Sequence, residues 1–241
     1  MYQDIPTRRA LQNALNLHGL QVRGGFVPRP EDELEQLPQR RDVAVVWMVG
    51  VVGSRFWAQF RASSQYRDGL PDPLDRWSAA IGNALAERWG GRAMFPSDGP
   101  PYLPFQKWAD RCEPTQPSAM GLRIHPEFGL WHAYRFALAL PWLQASDLQA
   151  LPPQDASDAA GLCAQCEHQA CLHTCPVGAY SASGFALQDC ARYLHTEPGQ
   201  ACMTHGCQAR LACPVGMTFR YEAEHAAFHM QAFLNNHPVD N

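Results

Sequence analysis

The sequence predicts an α/β (α+β) protein in two parts: a mixed sheet covered by helices, then a small domain organised by cysteines. Three observations carry this. The run from Val43 to Gly53, VAVVWMVGVVG, is Val-rich and about half the length of a membrane span, so it reads as a buried strand. A helix opens with Asp72 at its N-cap and Pro73 in its first turn, carries Leu74, Trp77, Ile81 and Leu85 on one stripe, and stops at Gly90-Gly91. Of the 9 cysteines, all but Cys112 lie between Cys163 and Cys213, beyond a stretch rich in Pro, Asp and Ala over 144–162.

Taken in order, Ala10, Leu11, Ala14, Leu15 and Leu17 give an amphipathic opening helix. Extended segments follow over 20–27 and 42–52, then the helix from Asp72. A short strand over 92–95, a Pro-rich loop and helix over 97–112, and strands over 121–125 and 131–140 complete a first domain of residues 1–143. A mixed sheet under helices is its natural closure. Residues 144–162 read as a linker and 163–241 as the second domain. There Cys175-Pro176-Val177-Gly178 recurs as Cys213-Pro214-Val215-Gly216, each ending a cysteine series, which indicates a duplicated unit. Phe219, Ala223, Ala226, Ala227, Met230, Phe233 and Leu234 recur at helical spacing, so a terminal helix is expected to dock over the seam between the domains.

Across 241 residues, 19 Lys+Arg face 23 Asp+Glu for a net charge of −4. With no long basic run, there is no electrostatic footprint for nucleic acid or for an anionic membrane. Charged residues make up 17% against an average of about 25%, while 20 Pro and 18 Gly imply many loops held by something buried. No membrane span is expected, and the residues after Arg8-Arg9 are too polar for a twin-arginine export signal. The expected compartment is the cytoplasm, where clustered cysteines serve metal or redox chemistry rather than disulfides. Cys112, alone after Arg111, is expected to be inert.

The first series is C-x2-C-x4-C-x3-C-P (Cys163, Cys166, Cys171, Cys175) and the second C-x11-C-x4-C-x5-C-P (Cys190, Cys202, Cys207, Cys213). A cubane cluster takes three thiolates from a short stretch and a fourth from elsewhere, and in two-cluster ferredoxins the Cys before Pro crosses to the other cluster. Cys163, Cys166, Cys171 and Cys213 are therefore expected around one [4Fe-4S] cluster, and Cys190, Cys202, Cys207 and Cys175 around a second. Structural zinc is the competing reading, since His168, His173, His195 and His205 lie nearby. Two Cys-Pro ends and closure at eight thiolates favour iron and sulfide, with those histidines at the surface or behind the ligands.

The segment from Gly161 to Arg220 resembles, in cysteine order more than in spacing, the dicluster ferredoxin module of epoxyqueuosine reductases and corrinoid reductive dehalogenases. In those families the clusters relay single electrons to a cobalamin held by an upstream nitroreductase-like domain. Upstream, His125-Pro126, Phe128-Gly129, Trp131, Ala133, Arg135 and Pro141 resemble the strand-turn-strand of cobalamin-processing proteins, and Asp72-Pro73-Leu74-Asp75 matches their Asp-Pro-x-Asp helix start. The whole chain is similar to bacterial ferredoxin-like proteins carrying HPEFGLWHAYR and two CPVG ends. The resemblance implies a nitroreductase-like first domain that binds a corrinoid, or failing that a flavin, through His125, Gly129, Trp131 and Tyr134, with His132 beside them, in a reductase fed by the clusters. The alternatives are a plain ferredoxin-type carrier that docks a partner enzyme, and a corrinoid chaperone. Its partner is expected to be a redox protein or a small-molecule acceptor. The residues of HPEFG also admit a plainer reading, a strand ending in a Pro-Gly turn with His125 bonded to nearby backbone and Trp131 filling core. The family's catalytic acid has no counterpart in register, since Asp110 is displaced, and a tRNA substrate is not expected.

Three further signals are set aside. Gly50-Val51-Val52-Gly53 is not a dinucleotide turn, and no phosphate loop is present. His225 and His229 lie one helical turn apart without the Glu of a metalloprotease pair, so a solvated or docking role is expected. Trp89, Trp108 and Trp142 are read as core or interface residues.

Overall fold

The computed structural model describes residues 7–32, 34, 37–148, 161–181 and 184–239, so most of the expected linker, 149–160, lies outside the described residues. The chain divides into two compact units, Met1–Pro114 with Ala133–Ser157, and Thr115–His132 with Asp158–Asn241.

The first unit contains α1 (Arg8–Asn16), β1 (Gln21–Phe26), β2 (Val45–Val52), α2 (Trp57–Arg61), α3 (Ser64–Arg67), α4 (Pro73–Trp89), β3 (Arg92–Met94) and α5 (Phe105–Asp110). The second adds β4 (Gln116–Pro117) and β5 (Arg123–Ile124), after which β6 (His132–Leu140) returns the chain to the first. Four strands form one sheet in the order β1-β2-β6-β3. Every residue of β2 is buried, as its unbroken apolar run requires of a central strand. β1 pairs antiparallel with β2, and β3 with β6. β2 and β6 are antiparallel too, because Ala44 N–H donates to Leu140 O at 2.8 Å while Gly50 lies against Ala133 O at the other end. The expected mixed sheet is therefore corrected to an antiparallel one within an α+β fold. The reason is topological: β2 and β3 run the same way around α4, but β6 inserts between them and turns a parallel βαβ unit into a split one.

α4 begins with Pro73 and ends at Gly90, whose φ of 63° suits a left-handed C-cap. Asp72 does occupy the N-cap but makes no side-chain cap bond there, being held at φ 50°. Leu74, Trp77, Ile81 and Leu85 are buried as expected, and Trp77 packs against Phe56 and Phe60. The Pro-rich loop and helix expected over 97–112 are both present, Pro100, Pro101 and Pro104 lying in the loop that precedes α5. Trp108 and Cys112 lie in a core with Phe26, Met48 and Ala137.

The second unit continues with α6 (Ala170–His173), β7 (Tyr180–Ser181), β8 (Gly184–Phe185), α7 (Leu187–Leu194), α8 (Gln200–His205), α9 (Gln208–Leu211) and α10 (Ala223–Asn236). The expected terminal helix thus starts four residues late, after a 3-10 turn over Met217–Phe219, and it packs on α8 within its own unit. The domain boundary expected at 143 is corrected as well. Residues 115–132 belong with the cysteine-rich unit, because Met120, Ile124 and Leu130 share a core with Ala209 and Cys213.

Candidate metal centre

The eight clustered cysteines gather in two groups of four, all in the second unit. Burial pushes the Cys171 thiol up, and Cys213, Cys163 and Cys166 add to the shift. Cys213 is raised by burial and by Cys163 and Cys166 in turn. Ile124, Leu162 and these four cysteines line one cavity. In the other group burial drives Cys190 up to about 12, with Cys207, Cys175 and Cys202 acting in the same direction. Cys202 is raised by burial, with Cys207 and Cys175 contributing. Each group therefore holds three cysteines of one series and the proline-followed cysteine of the other. All nine cysteines are free of disulfides.

Local structure explains the convergence. Short helices turn the chain between ligand positions: Cys171 lies in α6, Cys190 in α7 and Cys202 in α8, while Cys207 precedes α9. In the first Cys-Pro-Val-Gly end, proline fixes one φ and Gly178, at φ 57°, closes a turn by donating to Cys175 O at 3.0 Å. That turn aims the Ala179 N–H at Cys175 Sγ, 3.3 Å away. Backbone bonds from Val215 and Gln208 reach Cys213 and Cys202 in the same manner. The Tyr180 hydroxyl lies 3.8 Å from Cys207 Sγ, within reach of a hydrogen bond in which either group can donate, and burial with the adjoining thiols raises its pKa.

Among the described residues, no three or more His, Cys, Asp or Glu side chains converge closely enough to hold one metal ion. His168, His173, His195 and His205 are all exposed.

The four residues expected to bind a corrinoid divide between the two units. Tyr134 belongs to the first unit and the other three to the second. His125 Nδ1 accepts from the Glu127 and Phe128 N–H groups at 3.1 and 3.2 Å, its ring stacks on Phe128, and its backbone pairs both ways with Gly129. Gly129 does allow a close approach, but the approaching group is this chain's own backbone: a Cβ there would sit 2.0 Å from Val215 O. Gly216 faces it reciprocally, with a Cβ position 2.3 Å from the Phe128 carbonyl carbon. Trp131 is only 2% exposed and packs edge-on against Tyr221. His132 Nε2 donates to Arg123 O at 3.2 Å. These contacts match the plainer reading of HPEFG, a turn with His125 bonded to nearby backbone and Trp131 packed in core. Arg135, another residue of the resemblance, bonds Asp75 and Ser78 and so ties β6 to α4.

Sequence reasoning missed three placements. Tyr134 donates to Glu113, which also pairs with the buried Arg23 at 2.8 Å; burial raises the Glu113 carboxyl despite Arg23. An Arg at an inward position of a strand, Arg23 in β1, was the available signal. Tyr180 beside Cys207 had none, because nothing local marks it. Arg210 was equally silent, yet its guanidinium lies over both Trp131 and Tyr221, at 4.8 and 4.5 Å from their ring centroids. Cys112, 6% exposed and raised by burial, has the inert environment expected of it. His225 departs from a solvated role: it is fully buried, stacks on Tyr221 at 3.9 Å and meets His229 Nε2 at 3.0 Å. No helix among the described residues is long and apolar enough to cross a membrane. The chain matches no family model and no curated protein.

Proposed function

We propose that this protein is an electron-transfer protein whose second unit, ferredoxin-like in its use of cysteine, holds two [4Fe-4S] clusters. The observation that carries the reading is the sorting of eight thiols into two fours, with Cys175 and Cys213 exchanged between the series. A cubane when bound supplies a one-electron couple at an all-thiolate site. The chain's own part is to hold four thiols together against burial and, after it, their mutual repulsion, which raise Cys171 and Cys190 here and which a cationic centre relieves. It also directs N–H and O–H groups at the sulfurs, from Ala179 to Cys175 and from Tyr180 to Cys207, where added negative charge is stabilised. The first unit, nitroreductase-like by resemblance, stands beside this as a companion domain. The reading favoured is a carrier that passes electrons to a redox partner or small acceptor, because His125, Gly129 and Trp131 are engaged in packing within the second unit; a corrinoid or flavin rests on resemblance alone.

Protein made anaerobically with ample iron should contain about eight iron and about eight acid-labile sulfide per chain, as two cubanes require. Stoichiometric zinc without sulfide would overturn the reading. Titration with cobalamin should give no saturable spectral change; tight stoichiometric binding would restore the corrinoid reductase.

A further inference from the structure

The second unit contains a cavity of about 40 Å³ lined by Trp131, Cys207, Arg210, Leu211, Tyr221 and His229 among others, and none of its lining residues is acidic. Two donors in this wall lack partners. Trp131 Nε1 is buried in a side chain only 2% exposed and makes no hydrogen bond, and Arg210 Nε is likewise buried without an acceptor. One Arg210 terminal nitrogen donates to Leu130 O, and its guanidinium is held against the Trp131 and Tyr221 rings. No carboxylate pairs with Arg210 among the described residues. A guanidinium whose Nε is buried without an acceptor and a buried indole N–H without one are each unfavourable.

One kind of ligand satisfies both. It must be anionic, to answer Arg210, and must present acceptor oxygens to two donors at once. It must also be small, because a few tens of Å³ hold only two or three waters or a group of that size. Leu211, Ala226 and Met230 in the rest of the wall, beside His205 and His229, suit a short alkyl tail. We propose that this cavity binds a small monocarboxylate, of formate to propionate size, with Trp131 Nε1 and Arg210 Nε as its donors. Cys207 lines the same cavity, so the anion would lie beside a thiol of the second group. The binding itself goes beyond the electron-transfer reading and needs only these side chains.

Isothermal titration of the purified, cluster-loaded protein with acetate, in a carboxylate-free buffer and against chloride at equal ionic strength, tests this. Acetate should bind saturably at one site and chloride should not. Trp131→Phe keeps an aromatic ring, though a smaller one, and removes the donor, and should weaken acetate roughly ten- to hundredfold, the loss of one hydrogen bond to a charged group. Arg210→Lys keeps the charge while removing Nε, and should also weaken binding, which secures the test if the first variant folds poorly. Visible absorption of the clusters should be unchanged in either. Absence of saturable acetate binding means that water alone occupies the cavity or that Arg210 answers only the charge of the thiolate groups; undiminished binding in Trp131→Phe means that acetate binds elsewhere. Either result overturns the proposal. Protein lacking iron fails the electron-transfer reading instead, and the titration still reads out the cavity.

Discussion

Tyr180 gives the two thiol groups different chemistry. Its hydroxyl lies 3.8 Å from Cys207 Sγ and would donate to that sulfur as a cluster thiolate, and its ring stacks on Phe185, which holds it in place. A donor to a cluster sulfur stabilises the reduced, more negative state. Tyr180→Phe keeps the stacking ring and removes that bond, so the potential of the cluster held by Cys190, Cys202, Cys207 and Cys175 should fall. A net hydrogen bond of about 1 kcal/mol corresponds to roughly 40 mV for one electron. The other cluster should not move. Redox titration followed by electron paramagnetic resonance reads both couples, and equal shifts in the two would mean that the change is general rather than local. At this scale the grouping of the cysteines was legible because their spacing and the two Cys-Pro ends mark it in the sequence. Tyr180 and Arg210 were not, because a single Tyr or Arg acquires its role only from neighbours that the fold delivers.

The two Cys-Pro-Val-Gly ends are alike in sequence and unlike in surroundings. Gly178, at φ 57°, has nothing within 4 Å of where a Cβ would stand, so its need is for backbone freedom alone. Gly216, at φ 70°, would place a Cβ 2.3 Å from the Phe128 carbonyl carbon, and Gly129, at φ 58°, would place one 2.0 Å from Val215 O. Backbone lies on backbone there, and neither strand of it can yield cheaply. Gly178→Ala should therefore cost about 1 kcal/mol, the penalty of a left-handed conformation. Gly129→Ala and Gly216→Ala should each cost about 3 kcal/mol or more, because steric overlap adds to it. Thermal unfolding and iron content would report this as a mild effect for the first and loss of cluster retention for the other two; comparable losses in all three would count against the packing argument. Why HPEFG carries its glycine is thus settled by the second Cys-Pro-Val-Gly end, which lies far off in sequence. His125, whose Nδ1 takes two backbone N–H groups, supports the same turn.

At the scale of the whole molecule, the cysteine-rich unit cannot be cut at its first cysteine. Ile124 and Leu130 pack with Cys213, and Trp131 packs with Tyr221 and Ala226. A fragment of residues 163–241 lacks these partners and should fail to hold iron, while 115–241 should retain far more; equal retention by the two would show that residues 115–132 are dispensable. Such an excursion is invisible to composition, because 115–132 reads as two ordinary strands and a turn, and only the packing of Ile124 and Leu130 assigns them to a unit. The sheet shows the same division. Val45–Val52 announces a central strand by being apolar throughout, and Pro73 to Gly90 announces a helix with both ends marked, because burial and capping act on neighbouring residues. Pairing acts between distant ones, so the insertion of β6 between β2 and β3 had no local trace. By itself, then, the sequence determined the elements and the sorting of cysteines into fours, both of which rest on short-range periodicity and spacing. Only the tertiary structure decided the direction of the strands, the extent of the second unit and the use of His125, Gly129 and Trp131 as packing groups, since each depends on which remote backbone comes to rest against them.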